Sequence, residues 1–214
     1  MITKKTLGKI EKQAKHLTRN FGPSHDWSHV ERVTKRADFL AKKENANRHI
    51  VKVASLLHDI GRYSLKEIGY DHAVEGARLA KKILRNYPEI SEKDKENIVH
   101  SIECHRFRNS LIPKTKEAKC LHDADKLDNL GAIGIARSYI YLGETMDCVI
   151  YMKAKKEKNP DKRRTNSVQE EYEIKYKHLP GKLTTAAGRK IARERLKYMQ
   201  SYLGRLEKEV FGRL

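Results

Sequence analysis

Cysteine is scarce in this chain. There are 3, at Cys104, Cys120 and Cys148, with no CxxC pair, so neither a disulfide framework nor a zinc ribbon is on offer. An odd count suits reduced thiols, and all three are expected to be structural bystanders in a cytoplasmic protein. Aromatic residues are also few, at 7% with 1 Trp, and no RNA-binding aromatic motif is present. Long apolar runs are missing. No stretch approaches the roughly 20 residues that a membrane helix needs. The opening MITKKTLGKIEKQAKHL has no apolar core of the kind a secretory signal carries, so none is expected. Strand signal is nearly absent as well. Cys148-Val149-Ile150-Tyr151 is β-prone but short.

What the chain has in quantity is charge. Of 214 residues 35% are charged, and the net charge of +18 attracts polyanions over long range. Nucleotides and nucleic acid are therefore possible partners. A solvated basic surface is the plainer reading. The 38% that are hydrophobic fall at helical spacing, which argues for a packed helical core. Ile2, Leu7, Ile10, Ala14 and Leu17 mark a first helix, broken at Phe21-Gly22-Pro23-Ser24. Val30, Val33, Ala37, Leu40 and Ala41 mark a second. Ile50 to Ile60 reads as a third, with Gly61 as its terminator. Residues 72–85 form another, and Ser91 with Asp94 resembles a capping box that opens a helix through Cys104. Ala118 to Asn129 continues the pattern, and Gly131 and Gly134 mark a turn or a close approach. A last helix is predicted from about Thr185 to Val210. The run KAKKEKNPDKRR at 153–164 reads as a flexible loop. It separates a core of about 1–145 from a helical appendage of about 165–214 within one all-α domain over 1–214.

Chemistry concentrates where histidine meets aspartate. His25-Asp26-Trp27-Ser28-His29 follows the Gly-Pro break, His58-Asp59 ends an apolar helix, and His122-Asp123-Ala124-Asp125 sits in a third helix. A carboxylate beside core residues such as Leu56, Leu57 and Ile60 must be paired or neutralised. A divalent cation does this, and mixed imidazole and carboxylate ligands suit first-row metals. Alone, His58 and Asp59 read more simply as residues that cap the helix and bond to backbone. Three helices with the same juxtaposition favour a shared metal. Trp27 is either a stacking surface for a base or a plug in the core.

These segments, in order, resemble the HD-domain superfamily of metal-dependent phosphohydrolases. HDWSHVERV at 25–33, LLHDIGRY at 56–63, HAVEGARLA at 72–80 and DADKLDNLGAIGIAR at 123–137 resemble small bacterial and archaeal members, some of which are manganese-dependent nucleotide pyrophosphatases. NSVQEEYEIKYKHL and LTTAAGRKIARERLKYM extend the resemblance to the tail, although EEYEIKYKHL stands where a more apolar helix is typical. The resemblance implies an HD-type helical bundle around a buried metal site. It implies His29, His58, Asp59 and Asp125 as ligands to one divalent ion, with manganese favoured over Mg, Ni, Fe or Zn. Asp125 rather than Asp123 is chosen because the family's ligand precedes a basic residue, here Lys126.

The resemblance further implies that Asp59 both binds the ion and orients water. Arg62 and Lys126 are candidates for contact with phosphate as charge redistributes. Lys126 reads more simply as the partner of a carboxylate, Asp128 or a helix neighbour. His25, His72, His105, Arg106 and Asn129 are candidates for substrate binding. His72 and His105 stand where some members hold a second metal, but a single ion is expected. The implied reaction is hydrolysis of a nucleotide, with nucleoside triphosphate going to monophosphate and pyrophosphate. Phosphomonoesterase and phosphodiesterase activity are the alternatives, and a basic nucleic-acid-binding protein is the alternative from another class. The motifs specify no oligomeric state.

Overall fold

The computed structural model describes residues 2–64, 71–106, 111–145, 148–152 and 165–213. Its regular elements are helices: α1 (Lys4–Thr18), α2 (Trp27–Glu44), α3 (Arg48–Leu57), α4 (His72–Leu84), α5 (Glu92–Glu103), α6 (Lys116–Leu127), α7 (Gly131–Thr145), α8 (Val168–Ile174), α9 (Leu179–Lys182) and α10 (Ala186–Val210). No strand occurs among the described residues. Cys148 to Tyr151 is irregular, with a bend at Ile150, and Val149 donates its N–H to the Asn166 carbonyl at 2.9 Å. The charge run at 153–164 lies outside the described residues.

The chain divides into two compact units, Met1–Asp125 and Lys126–Leu214, and the division falls inside α6. In the first unit α2 packs on α3, α4 on α5, and α3 on α1 and α5. The periodic apolar positions explain this. Val30, Val33, Ala37, Leu40 and Ala41 are all fully buried, which is one stripe of α2. In α3 Ile50, Val51, Val53, Ala54, Ser55, Leu56 and Leu57 are all buried, so this short helix has little solvent face and forms the centre of the unit. Burying a leucine or isoleucine of this kind contributes about 1.5–3 kcal/mol.

Caps set the helix starts. Asp26, Asn47, Asp71 and Ser91 each accept from the first turn of the helix that follows. The Ser91 carboxy-terminal partner is the Asp94 N–H at 3.2 Å, the cap half of the expected box. Asn45, in left-handed conformation with φ 52°, closes α2.

One boundary differs from expectation. The third helix stops at Leu57 rather than Ile60, and Gly61 is not its terminator. A turn at His58-Asp59 leads into a short 3-10 segment, Ile60–Ser64. Gly61 serves a close approach instead. A Cβ there would stand 2.3 Å from the His72 carbonyl oxygen and 2.5 Å from the Gly76 nitrogen.

In the second unit α7 packs on α10 and α8. Gly131 opens α7 with φ +77° against the Arg195 side chain, and Arg195 Nη1 donates to the Leu127 carbonyl at 2.7 Å. The polar stretch at 168–179 is accommodated through aromatic and hydrogen-bonded groups. Val168, Glu170, Tyr172, Tyr176 and Leu179 are buried. A Glu170 oxygen accepts the Asn166 N–H at 3.0 Å. The Tyr176 hydroxyl lies 2.8 Å from Ser138 Oγ, and burial pushes its phenol pKa up.

Candidate metal centre

Helix ends converge in the first unit. Asp26 caps α2 by accepting the His29 N–H at 3.2 Å, which fixes His29 in the first turn. His58 is the C-cap of α3, and Asp59 follows it in the turn. His72 is the first residue of α4, His105 lies just beyond α5, and Asp125 is in the last turn of α6. His29, His58, Asp59, His72 and His105 are all buried, and Asp125 is partly exposed.

The separations are informative. His58 Nε2 lies 3.3 Å from His29 Nε2. His29 Nε2 is 3.5 Å from Asp59 Oδ2 and 3.5 Å from Asp125 Oδ1, and His58 Nε2 is 3.5 Å from Asp59 Oδ2. Donor atoms that share one first-row ion at about 2.0–2.2 Å stand about 3–3.5 Å apart. Across Asp59 the pattern repeats. Its other oxygen, Oδ1, is 3.7 Å from His72 Nε2 and 3.6 Å from His105 Nε2. His29, His58 and Asp125 thus form one potential ligand group, and Asp59, His72 and His105 another.

Two observations test whether these residues suit a cation. Neither oxygen of Asp59 has an aligned hydrogen-bond donor among the described residues, and nor does His72 Nε2. Buried polar atoms in that condition are costly unless a cation satisfies them. Second, two imidazoles are turned the same way. His58 Nδ1 lies 2.7 Å from the Ser55 carbonyl and His105 Nδ1 2.6 Å from the Ile102 carbonyl. A carbonyl accepts only, so each Nδ1 carries the proton and each Nε2 presents a lone pair inward, the usual arrangement of metal-ligating histidines. The donor set fits a divalent metal.

Protonation agrees with this. Burial pushes His58 down to about 4 and His72 down to about 3, with the nearby Arg62 also lowering His72. Both are neutral near pH 7. Burial pushes the Asp59 carboxyl up, but Arg62, His58, His105 and His29 outweigh it and hold the group well below its usual value. The centre therefore presents ionised carboxylate and neutral imidazole without prior loss of a proton.

The other expected site residues fall as follows. Arg62 Nε is 2.7 Å from Asp59 Oδ2, so its charge is directed at the central carboxylate. The His25 ring packs edge-on to His29 with centroids 5.7 Å apart. Arg106 pairs with Asp71 at 3.1 Å. His122 Nδ1 and Asp123 Oδ1 bond to each other at 2.9 Å. Lys126 is buried in α6, directly after Asp125. Asp128 faces Arg137 at 3.1 Å. Asn129 lies in the turn after α6 and donates its N–H to the Lys126 carbonyl at 3.1 Å. Trp27 lines a cavity of about 340 Å³ with Leu7, Thr34 and Leu56, and Lys15 sits over its ring. Asp71 is a residue that sequence reasoning missed. Only its place before His72, as a helix cap, signalled it.

An all-helical fold with buried histidine–aspartate ligand groups at converging helix ends defines the class of metal-dependent HD hydrolases. Residues 26–130 match the HD domain family, and the chain belongs to the HD-domain hydrolase superfamily. Among relatives, it is 28% identical over 200 residues to the uncharacterised protein YpgQ of Bacillus subtilis, covering 88% of this chain and 85% of YpgQ. The crystal structure of YpgQ in complex with ADP superposes with a TM-score of 0.72 at 26% identity, over 96% of this chain and 95% of that one. An HD-superfamily hydrolase of Bacillus thuringiensis gives a TM-score of 0.72 at 27% identity, over 96% of both chains.

Proposed function

We propose that this protein hydrolyses a nucleotide phosphoester at a divalent metal held by His29, His58, Asp59 and Asp125, with manganese the favoured ion. The observation that carries the reading is the buried Asp59 carboxylate. One of its oxygens faces His29 and His58, with Arg62 Nε at 2.7 Å, and the other faces His72 and His105, with no aligned hydrogen-bond donor on either among the described residues. A divalent ion in such a site acts as a Lewis acid, lowering the pKa of water toward about 7 and offsetting phosphate charge.

The chain's own residues prepare for this. Serine and isoleucine carbonyls hold His58 and His105 in the tautomer that turns Nε2 inward. Arg62 keeps Asp59 ionised and supplies positive charge beside the site. His25, whose ring packs against His29, and Arg106, paired with Asp71, are proposed for contact with a phosphate or base. Lys126 is proposed for phosphate contact and Asn129 for the nucleotide. The ADP bound by YpgQ supports a nucleotide as substrate. Within that class, cleavage of a triphosphate to monophosphate and pyrophosphate is the favoured reaction.

The group of Asp59, His72 and His105 supports a second reading, in which these residues hold another ion rather than touching substrate. Metal analysis of the loaded protein separates the two, with one or two ions per chain.

The functional test is release of phosphate and pyrophosphate from a panel of nucleotides, with Mn²⁺, Mg²⁺, Ni²⁺, Zn²⁺ or chelator. Metal-dependent release is expected, and Asp59→Asn is expected to reduce it by about a hundredfold or more. Full turnover by Asp59→Asn would overturn the role of this carboxylate, and no release with any metal would overturn the nucleotide reading.

A further inference from the structure

Helix α1 is unlike the other helices in its charge. At about 100° per residue, Lys4, Lys15, Arg19, Lys12, Lys5 and Lys9 fall on one arc of about 140°. All of them are exposed. Within that arc there is no carboxylate, and Glu11, the helix's acidic residue, lies outside it. The opposite face, with Thr6, Ile10, Ala14 and Thr18, is buried.

Several basic residues elsewhere are paired with a carboxylate. Arg48 pairs with Asp38, Arg78 with Glu75, Lys95 with Glu92 and Arg205 with Glu209. None of the six cations on the α1 arc has a carboxylate within ion-pair distance among the described residues. Lys9 acts on Glu89 only at longer range, Lys15 sits over the Trp27 ring, and Arg19 reaches His16 at 3.2 Å. Like charges at i,i+4, such as Lys5 with Lys9 and Lys15 with Arg19, repel one another on a helix. The stripe therefore lowers the stability of α1, and an anion laid along it would relieve that repulsion.

We propose that the exposed face of α1 binds the sugar-phosphate backbone of a single-stranded nucleic acid. The shape of the patch selects this occupant. The cations are spread along a helix about 22 Å long, beyond the reach of one small phosphate but matched to a linear polyanion. A membrane surface fits less well, because surface-seeking helices put an apolar face into the lipid, whereas the apolar face of α1 is packed on α3. This surface is separate from the metal ligands and binds whether or not the metal centre is loaded.

The test is fluorescence anisotropy of a labelled single-stranded oligonucleotide in chelator, titrated with the full chain between about 50 and about 200 mM salt. Binding that weakens steeply with salt is expected. Charge reversal at Lys5, Lys9 and Lys12 to Glu should weaken it by at least about tenfold and shrink the log–log salt slope by about 2. The same change in net charge at the exposed Lys42, Lys82 and Lys93 should leave most of the binding intact. Circular dichroism checks that both variants are folded, and the triple Lys→Gln variant at 5, 9 and 12 replaces the first if it is not. No binding at low salt, equal loss in both triple variants, or capture of anionic phospholipid vesicles without oligonucleotide binding would each overturn the proposal.

Discussion

At Asp59 opposing demands meet on one side chain. Burial disfavours its charge, while the Arg62 guanidinium at 2.7 Å favours it. The histidines carry the complementary condition, because burial keeps His58 and His72 neutral. This fixes the sign of an acid response in the metal-free protein. An unfolded histidine takes up a proton near 6.5, but folded His58 resists until about 4 and His72 until about 3. Between those values the unfolded chain binds more protons, so stability is full above about 6.5 and falls as pH falls through the window. The thermal midpoint measured in chelator should therefore drop steadily from pH 6.5 toward 4. A flat or rising midpoint would show that these imidazoles are already charged in the folded protein. Much at this scale was legible in the sequence, because a His-Asp pair against Leu56, Leu57 and Ile60 demands a partner. The Asp71–Arg106 pair was not legible. Each member is ordinary by itself, and only the fold brings it 3.1 Å from the other.

The elements show how the site is built. Each residue of the two potential ligand groups stands at or near a helix end, where the chain can turn a side chain inward without interrupting the apolar stripe. That placement explains why helix existence was readable from periodicity while the end of α3 was not. Ile60 continues the apolar pattern, but backbone contact between the 3-10 segment and α4 requires the turn to come earlier. Gly61 is the measure of that contact. Gly61→Ala places a methyl 2.3 Å from the His72 carbonyl and 2.5 Å from the Gly76 nitrogen, and neither backbone atom can swing aside. A loss of about 1–3 kcal/mol or more is expected, seen as a lower thermal midpoint of about 2–4 °C per kcal/mol. Because α4 begins with His72, metal affinity should fall too. Gly8→Ala is the control, since nothing lies within 4 Å of a Cβ there. Equal midpoints for the two variants would show that the close approach is not rigid.

For the molecule as a whole, the all-α architecture was legible because scarcity of strand signal and regular helical spacing point the same way. The division at Asp125 and Lys126 was not, since it falls inside a continuous helix and leaves no mark in composition. A ligand that binds the folded chain alone stabilises it by mass action, by about 2.7 kcal/mol at a hundredfold excess over Kd. Loading with Mn²⁺ should raise the thermal midpoint and chelator should reverse it. With Asp59→Ala most of that rise should vanish. An undiminished rise in the variant would place the bound ion elsewhere.

The histidines and aspartates of the centre come from α2, the end of α3, the start of α4, the end of α5 and the last turn of α6, from His29 to Asp125. No two neighbouring helices contain a complete set. The donor set is therefore complete only when nearly the whole first unit has closed, and a divalent ion using this group would meet all its donors only once these helices have come together.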